Sequence, residues 1–238
     1  MKKQRAKESV KKIAGKQVDP ARQQSLAILC DVLQAGQTLD EAFSAHASGL
    51  NPRDKNFAYH LCLTTLRYGL ALDKISADLM TKPFPANSTG RLLLQLGLCQ
   101  LFVMDGVKPH AAIATTVDTA KANKLGHMSG VINGVLRNAQ RTFSRQDISP
   151  RDGLPPWLLQ RLQSHYGAAA AAEMADALLT PAPLDIRTRT GAVPADATKL
   201  AGLPDGWRLP EGSKAASLHP QLEQGEVYIQ DAAAQWPA

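Results

Sequence analysis

Residues 91–104, RLLLQLGLCQLFVM, decide the fold class, because they are apolar around almost the whole helical circumference. A helix at a protein surface keeps one polar face, whereas one that is apolar all round must be buried on every side. After Arg91 only Gln95 and Gln100 interrupt the run, and Ser88 or Thr89 supplies an N-cap. A central helix of this kind needs a shell of amphipathic helices. Working outward, Asp19-Pro20 gives a cap followed by proline, then Leu26, Leu29, Cys30 and Leu33 at helical spacing, with a stop at Gly36. Thr38 to Glu41 reads as a capping box for a short helix through Phe43. Asn51-Pro52 repeats the cap-proline signal before Phe57, Leu61 and Leu66. Gly69 then reads as a break before a further helix with Leu72, Ile75 and Leu79. Beyond the central segment, Pro109 opens a helix carrying Ile113, Val117 and Ala120, and another runs from about His127 to Phe143. The count is seven helices in residues 20–145, a compact bundle.

Pro150, Gly153, Pro155 and Pro156 end that periodicity. Residues 146–180 read as a helical linker, with helices over 157–166 and 168–179. The texture then becomes strand-like at 183–188, 206–209 and 227–229, so residues 181–238 read as a small α+β unit. The fold class expected is mainly α, with a small mixed unit behind it.

The 238 residues contain 27 Lys and Arg against 21 Asp and Glu, a formal charge of +6. The surplus is local. Residues 1–20 hold seven cations (Lys2, Lys3, Arg5, Lys7, Lys11, Lys12, Lys16) and two acids, leaving a body that is nearly neutral. Residues 1–19 therefore read as a basic disordered arm, either a solubilising terminus or a device that neutralises phosphates. A second basic stretch runs from Lys121 to Arg145, with Lys124, Arg137 and Arg141 between them and no acid. The four-residue spacing of Arg137, Arg141 and Arg145 stacks them on one helical face. With Arg53, Lys55 and Arg67 they make a phosphate-tracking surface the favoured reading over a merely solvated face. Arg53 and Arg67 have an alternative: ion pairs with Asp54, Asp73 or helix termini.

Catalytic signals are missing. There is no GxG, no GK[ST] and no HExxH. Gly126, Gly130 and Gly134 recur every four residues, which predicts close approach of a neighbouring helix. Cys30, Cys62 and Cys99 each follow a leucine and read as buried hydrophobes in a reducing compartment. No stretch reaches the ~18 apolar residues of a membrane span. No metal, no membrane and no catalytic residue are expected in this sequence.

Several blocks resemble a known family. PRDK at 52–55, LRY at 66–68, LGLCQL at 96–101, PHAA at 109–112 and VINGVLR at 131–137 are similar to the NusB-like domain. More narrowly, they resemble its form at the front of the RsmB (Sun/Fmu)-like 16S rRNA cytosine-C5 methyltransferases. PWL at 156–158, PLDIRT at 183–188 and GEVYIQDAAAQ at 225–235 resemble that family's linker and pre-catalytic segment. The resemblance implies an enzyme whose cysteine thiolate attacks cytosine C6 while S-adenosylmethionine donates a methyl group to C5. The family's LDxCAAPGGKT-like donor motif and its PC and TC cysteines are not in this sequence, and Ile186-Arg187-Thr188 stands where Arg-Val-Asn is usual. What remains is the expected RNA-binding N-terminal part, with no cofactor of its own. It is expected to be a cytoplasmic monomer that contacts 16S rRNA through Lys2, Lys3, Arg5, Lys7, Lys11, Lys12, Arg53, Lys55, Lys121, Lys124, Arg137, Arg141 and Arg145. The alternative is a stand-alone NusB-like factor in antitermination or ribosome assembly.

Overall fold

The structure, a computed structural model, describes residues 18–189 and 193–236. Residues 1–17 of the expected basic arm, including Lys2, Lys3, Arg5, Lys7, Lys11 and Lys12, lie outside the described residues, and Asp19 at its end is the ordered N-cap of the first helix. The chain divides into two compact units, residues 1–179 and 180–238.

The first unit is helical. It comprises α1 (Pro20–Gln34), α2 (Leu39–Ala47), α3 (Pro52–Leu79), α4 (Thr89–Phe102), α5 (Pro109–Ala122), α6 (Ser129–Thr142) and α7 (Pro156–Leu179). The all-apolar segment is α4, and every residue from Leu92 to Gln100 is buried. Fully burying one leucine is worth about 1.5–3 kcal/mol, so α4 is where the hydrophobic stabilisation concentrates. Its two glutamines are held by polar partners. Gln95 Nε2 donates to Gly69 O at 3.0 Å and to Asp73 Oδ1 at 2.9 Å, and Arg91 also pairs with Asp73. Gln100 Oε1 accepts from Arg22 Nε at 2.5 Å, and its Nε2 donates to Leu96 O. These bonds tie α4 to α3 and α1 at fixed points along an otherwise non-directional apolar contact.

Two expectations about glycine are corrected. Gly69 does not break a helix: α3 runs through it for 28 residues, so the seven expected helices become six α-helices up to Thr142. A mid-helix glycine costs ~1 kcal/mol, less than the packing gained by continuing. Gly69 instead permits close approach, since a Cβ there would lie 3.3 Å from Gln95 Nε2. The stripe of Gly126, Gly130 and Gly134 faces open space, and a Cβ at any of them would meet nothing within 4 Å. The tight helix–helix contact is elsewhere, at Gly97 of α4, where a Cβ would lie 2.8 Å from the methyls of Leu136 on α6.

The stretch after α6 packs onto the bundle. A 3-10 turn at Pro150–Gly153 is fixed by Lys74 Nζ to Asp152 at 2.9 Å, and a Cβ on Gly153 would lie 2.5 Å from Leu179. Tyr68 donates its hydroxyl to Leu179 O at 3.5 Å. As expected, α7 is two helical segments meeting at Gly167, whose φ of 79° and ψ of 166° no neighbouring residue type adopts cheaply.

The second unit holds a four-stranded antiparallel sheet, β1 (Asp185–Thr188), β2 (Thr198–Lys199), β3 (Gly206–Arg208) and β4 (Val227–Ile229), in the order β2-β3-β1-β4. One face buries Ile186 and Val227 against Leu209 and Leu218, the last just before α8 (His219–Glu223). A one-turn helix, α9 (Ala232–Gln235), follows β4. The strand β2 was not anticipated, since two exposed residues show no periodicity. Asp185 organises the other face. It accepts from Arg208 Nε at 2.7 Å and Nη2 at 3.0 Å, and from Ala232 N at 3.2 Å. The Arg208 hydrogen bonds hold its carboxyl below the usual carboxylate range, against the opposing effect of burial.

Two predictions follow from this packing. In urea denaturation, Gly97→Ala lowers stability by about 1–3 kcal/mol through overpacking against Leu136. Gly69→Ala stays within about 1 kcal/mol of the parent, because helix propensity offsets displacement of a flexible amide. For the small unit, the folded Asp185 carboxyl titrates below its unfolded value near 4. Its contribution is complete above pH 4 and is lost as pH falls through the depressed folded value. Asp185→Asn should therefore cost about 1 kcal/mol at neutral pH and flatten the acid dependence of Trp207 and Trp236 fluorescence.

Candidate nucleic-acid interface

Three helix starts converge on one cleft. Asp19, Asn51 and Lys108 are the N-caps of α1, α3 and α5, and all three line an opening of about 580 Å³. Each helix start carries a partial positive charge of roughly half a unit. Asp19 and Asn51 satisfy theirs with their own side chains, accepting from Arg22 N and Asp54 N at 3.0 and 2.9 Å. Lys108 provides no side-chain cap, so the start of α5 retains its electropositive end and adds a cation beside it. Arg53 lines the same cleft from the first turn of α3. Arg22 lines it too, with its guanidinium 4.6 Å from the Phe57 ring centre and paired to Asp19 at 2.5 Å.

The second basic stretch is divided by the structure. The turn at Gly126–Met128 folds α6 back along α5, so the ends of the basic segment lie at opposite ends of the helix pair. Each helix of 14 residues spans about 20 Å. Lys121 and Lys124 are exposed at one end. Arg137 and Arg141 are exposed on α6 at the other, hydrogen-bonded to the amides of Asn133 and Asn138, and neither makes an ion pair among the described residues. Arg145 leaves the expected stripe. The helix ends at Thr142, Phe143 is extended, and Arg145 sits in a 3-10 turn with its Nη1 2.7 Å from Asp105. Asp105 lines the cleft of the three helix starts, so its ion pair ties Arg145 to the edge of that cleft. Lys55 is half-buried on α3, and Asp73, offered as a partner for Arg67, is taken by Arg91.

Sequence reading missed Arg22 and Lys108. Both adjoin Xaa-Pro helix starts that were legible one at a time, but nothing local says that the three starts meet. Lys124 carries a further signal: with φ of 60° it is the one non-glycine residue in the left-handed region among the described residues. Such a conformation is strained for a side chain longer than glycine.

The remaining chemistry is structural. Burial pushes the Cys62 and Cys99 thiols up to about 12 and raises Cys30, so none is a thiolate near neutral pH. Among the described residues no group of three or more His, Cys, Asp and Glu is placed to hold a metal ion. No helix among them is long and apolar enough to cross a membrane.

Over residues 19–141, just over half of the chain, the sequence matches the NusB family. The chain belongs to that family. Its similarity to known proteins extends beyond the NusB segment. It is 31% identical to the probable ribosomal RNA small subunit methyltransferase B of Synechocystis sp., over 92% of this chain and 54% of that protein. It is 32% identical to ribosomal RNA small subunit methyltransferase B of Shigella flexneri, over 86% of this chain and 51% of that protein. The chain thus spans about half the length of the curated relatives it matches. Among solved structures, the crystal structure of PH0851 shares the fold with a TM-score of 0.57, at 11% identity, over 92% of this chain and 54% of that one. The NusB bundle of this chain accordingly carries the three-start cleft and the α5–α6 cations.

Lys124→Gly separates the roles of that residue. It relieves the left-handed strain, so the urea midpoint should stay the same or rise. RNA affinity should nevertheless fall several-fold; an unchanged affinity would make Lys124 a helix stop only.

Proposed function

We propose that this chain is the RNA-binding N-terminal region of an S-adenosylmethionine-dependent rRNA cytosine-C5 methyltransferase, acting on 16S rRNA in the cytoplasm as a monomer. The observation that carries the RNA-binding part is the uncapped start of α5 with Arg53 in the same cleft, Arg137 close to His110 in the first turn of that helix, and Arg141 exposed one turn further along α6. Cations and helix N-termini together favour a phosphate backbone. The methyltransferase part rests on similarity that continues past residue 141, over 86–92% of the chain. A stand-alone NusB-like RNA-binding factor is the second reading, favoured by the family match ending at residue 141.

The methyl donor's adenosine and methionyl groups need a glycine-rich turn open to the ligand; the sequence holds no GxG, and in the small unit Gly206 backs onto Gln235 and Leu203, and Gly202 onto Trp236. No step is derived through the donor, and we assign its site to the remaining half of the relatives' length.

RNA binding is measured with the full chain and 16S rRNA over a range of salt. Deleting residues 2–16, which removes seven cations, should reduce the slope of log affinity against log salt by several units. Arg137→Ala with Arg141→Ala should weaken binding to all RNA sequences alike, as phosphate contacts carry no sequence information. Unchanged slopes in both variants would remove the proposal. Methyl incorporation from S-adenosylmethionine by this chain alone should be nil, and measurable incorporation would contradict the assignment of the donor site.

A further inference from the structure

The open face of the small sheet has the chemistry of a nucleotide platform. In β1 and β4, Arg187 stands directly opposite Tyr228, so both side chains project from the same face. The opposite face is the one that buries Ile186 and Val227. On the open face, α9 covers only one part. Ala232 N reaches Asp185, and Gln235 sits over Gly206, where a Cβ would lie 2.7 Å from its Oε1. Bordering the uncovered part is a cleft of about 680 Å³ whose lining includes Arg187, Arg189, Tyr228, Asp205 and Gln230, with Thr188 and Ile229 at its edge.

Three properties of the cleft select its ligand. Tyr228 is 46% exposed although it lies in a strand, so its ring is available as a flat surface. Arg187 and Arg189 are exposed, and no ion pair holds either among the described residues, whereas Arg208 on the same sheet is committed to Asp185. Gln230 donates to Ala234 O at 2.8 Å, which holds its side chain as one wall of the cleft. An aromatic ring flanked by two unpaired guanidinium groups suits a base stacked on the ring with its phosphates on the arginines.

We infer that the Arg187–Arg189–Tyr228 face of the small sheet is a second RNA contact, holding an unpaired nucleotide of a single-stranded segment. The inference rests on the RNA-binding reading above and extends it to a unit with no basic surplus. That unit carries seven carboxylates and five cations, so attraction here is confined to the cleft. Stacking on Tyr228 accepts any base, so little sequence preference is expected. Short single strands should bind here in preference to duplex, because a base within a duplex does not offer its face.

The test uses the full chain and a short single-stranded uridine oligomer carrying 5-iodouridine. Ultraviolet crosslinking followed by peptide mapping should place a crosslink on Tyr228. Tyr228→Leu should lower affinity about tenfold, and Tyr228→Phe should retain it, since the ring and not the hydroxyl makes the contact. Arg187→Gln with Arg189→Gln should reduce the salt slope by about one unit. If Tyr228→Leu unfolds the unit, the exposed arginine pair decides the matter. Unchanged binding in these variants, with Arg137→Ala and Arg141→Ala still weakening it, overturns this inference and leaves the RNA-binding reading standing. Failure of the parent chain to bind any RNA overturns both.

Discussion

Burial of α4 from Leu92 to Gln100 is the constraint on which the helical unit depends. Nine consecutive buried residues leave this stretch of helix no solvent face, so it must be enclosed, and the enclosure dictates where α1, α3, α5 and α6 lie. Gly97 sets how closely α6 can approach, and Gln95 and Gln100 set the register of α3 and α1 against it. Apolar contact alone would leave those helices free to slide. The buried amides cost free energy unless bonded, so they permit one arrangement.

That arrangement positions the functional surface. With their inner faces committed to α4, the helices α1, α3 and α5 present their N-terminal ends together. Of the three starts only that of α5 is left without a side-chain cap, and Arg22, Arg53 and Lys108 line the cleft around it. Asp19, Asp54 and Asp105 line it as well, so the field is shaped as much as strengthened. Arg145 pairs with Asp105 at the cleft's edge because α6 ends at Thr142, three residues before a continuous stripe would require. On the proposed function, this is how a nearly neutral body offers a local site for phosphate.

The parts of the fold legible in the sequence were those governed by local chemistry. The all-round apolar run, the Asp19-Pro20 and Asn51-Pro52 starts, the Thr38–Glu41 capping box and the hinge at Gly167 are each read from a few neighbouring residues. Gly69 was misread because its local cost is outweighed by packing that only the tertiary structure reveals. The spacing of Gly126, Gly130 and Gly134 says that a helix could approach, and cannot say that one does. For the candidate site, Arg137 and Arg141 were legible from charge spacing on a helix. Arg22 and Lys108 were not, because their importance comes from three distant chain segments meeting. The family resemblance carried the reading past residue 141, where periodicity is weak.

The most direct test of the account is a map of backbone amide shifts in the full chain as a 16S rRNA fragment is titrated in. The account predicts perturbations at residues 51–55, 105–112, 121–124 and 137–145, which line the cleft and the two ends of the α5–α6 pair. Perturbations that leave all four segments unmoved while other parts of the bundle shift would contradict it.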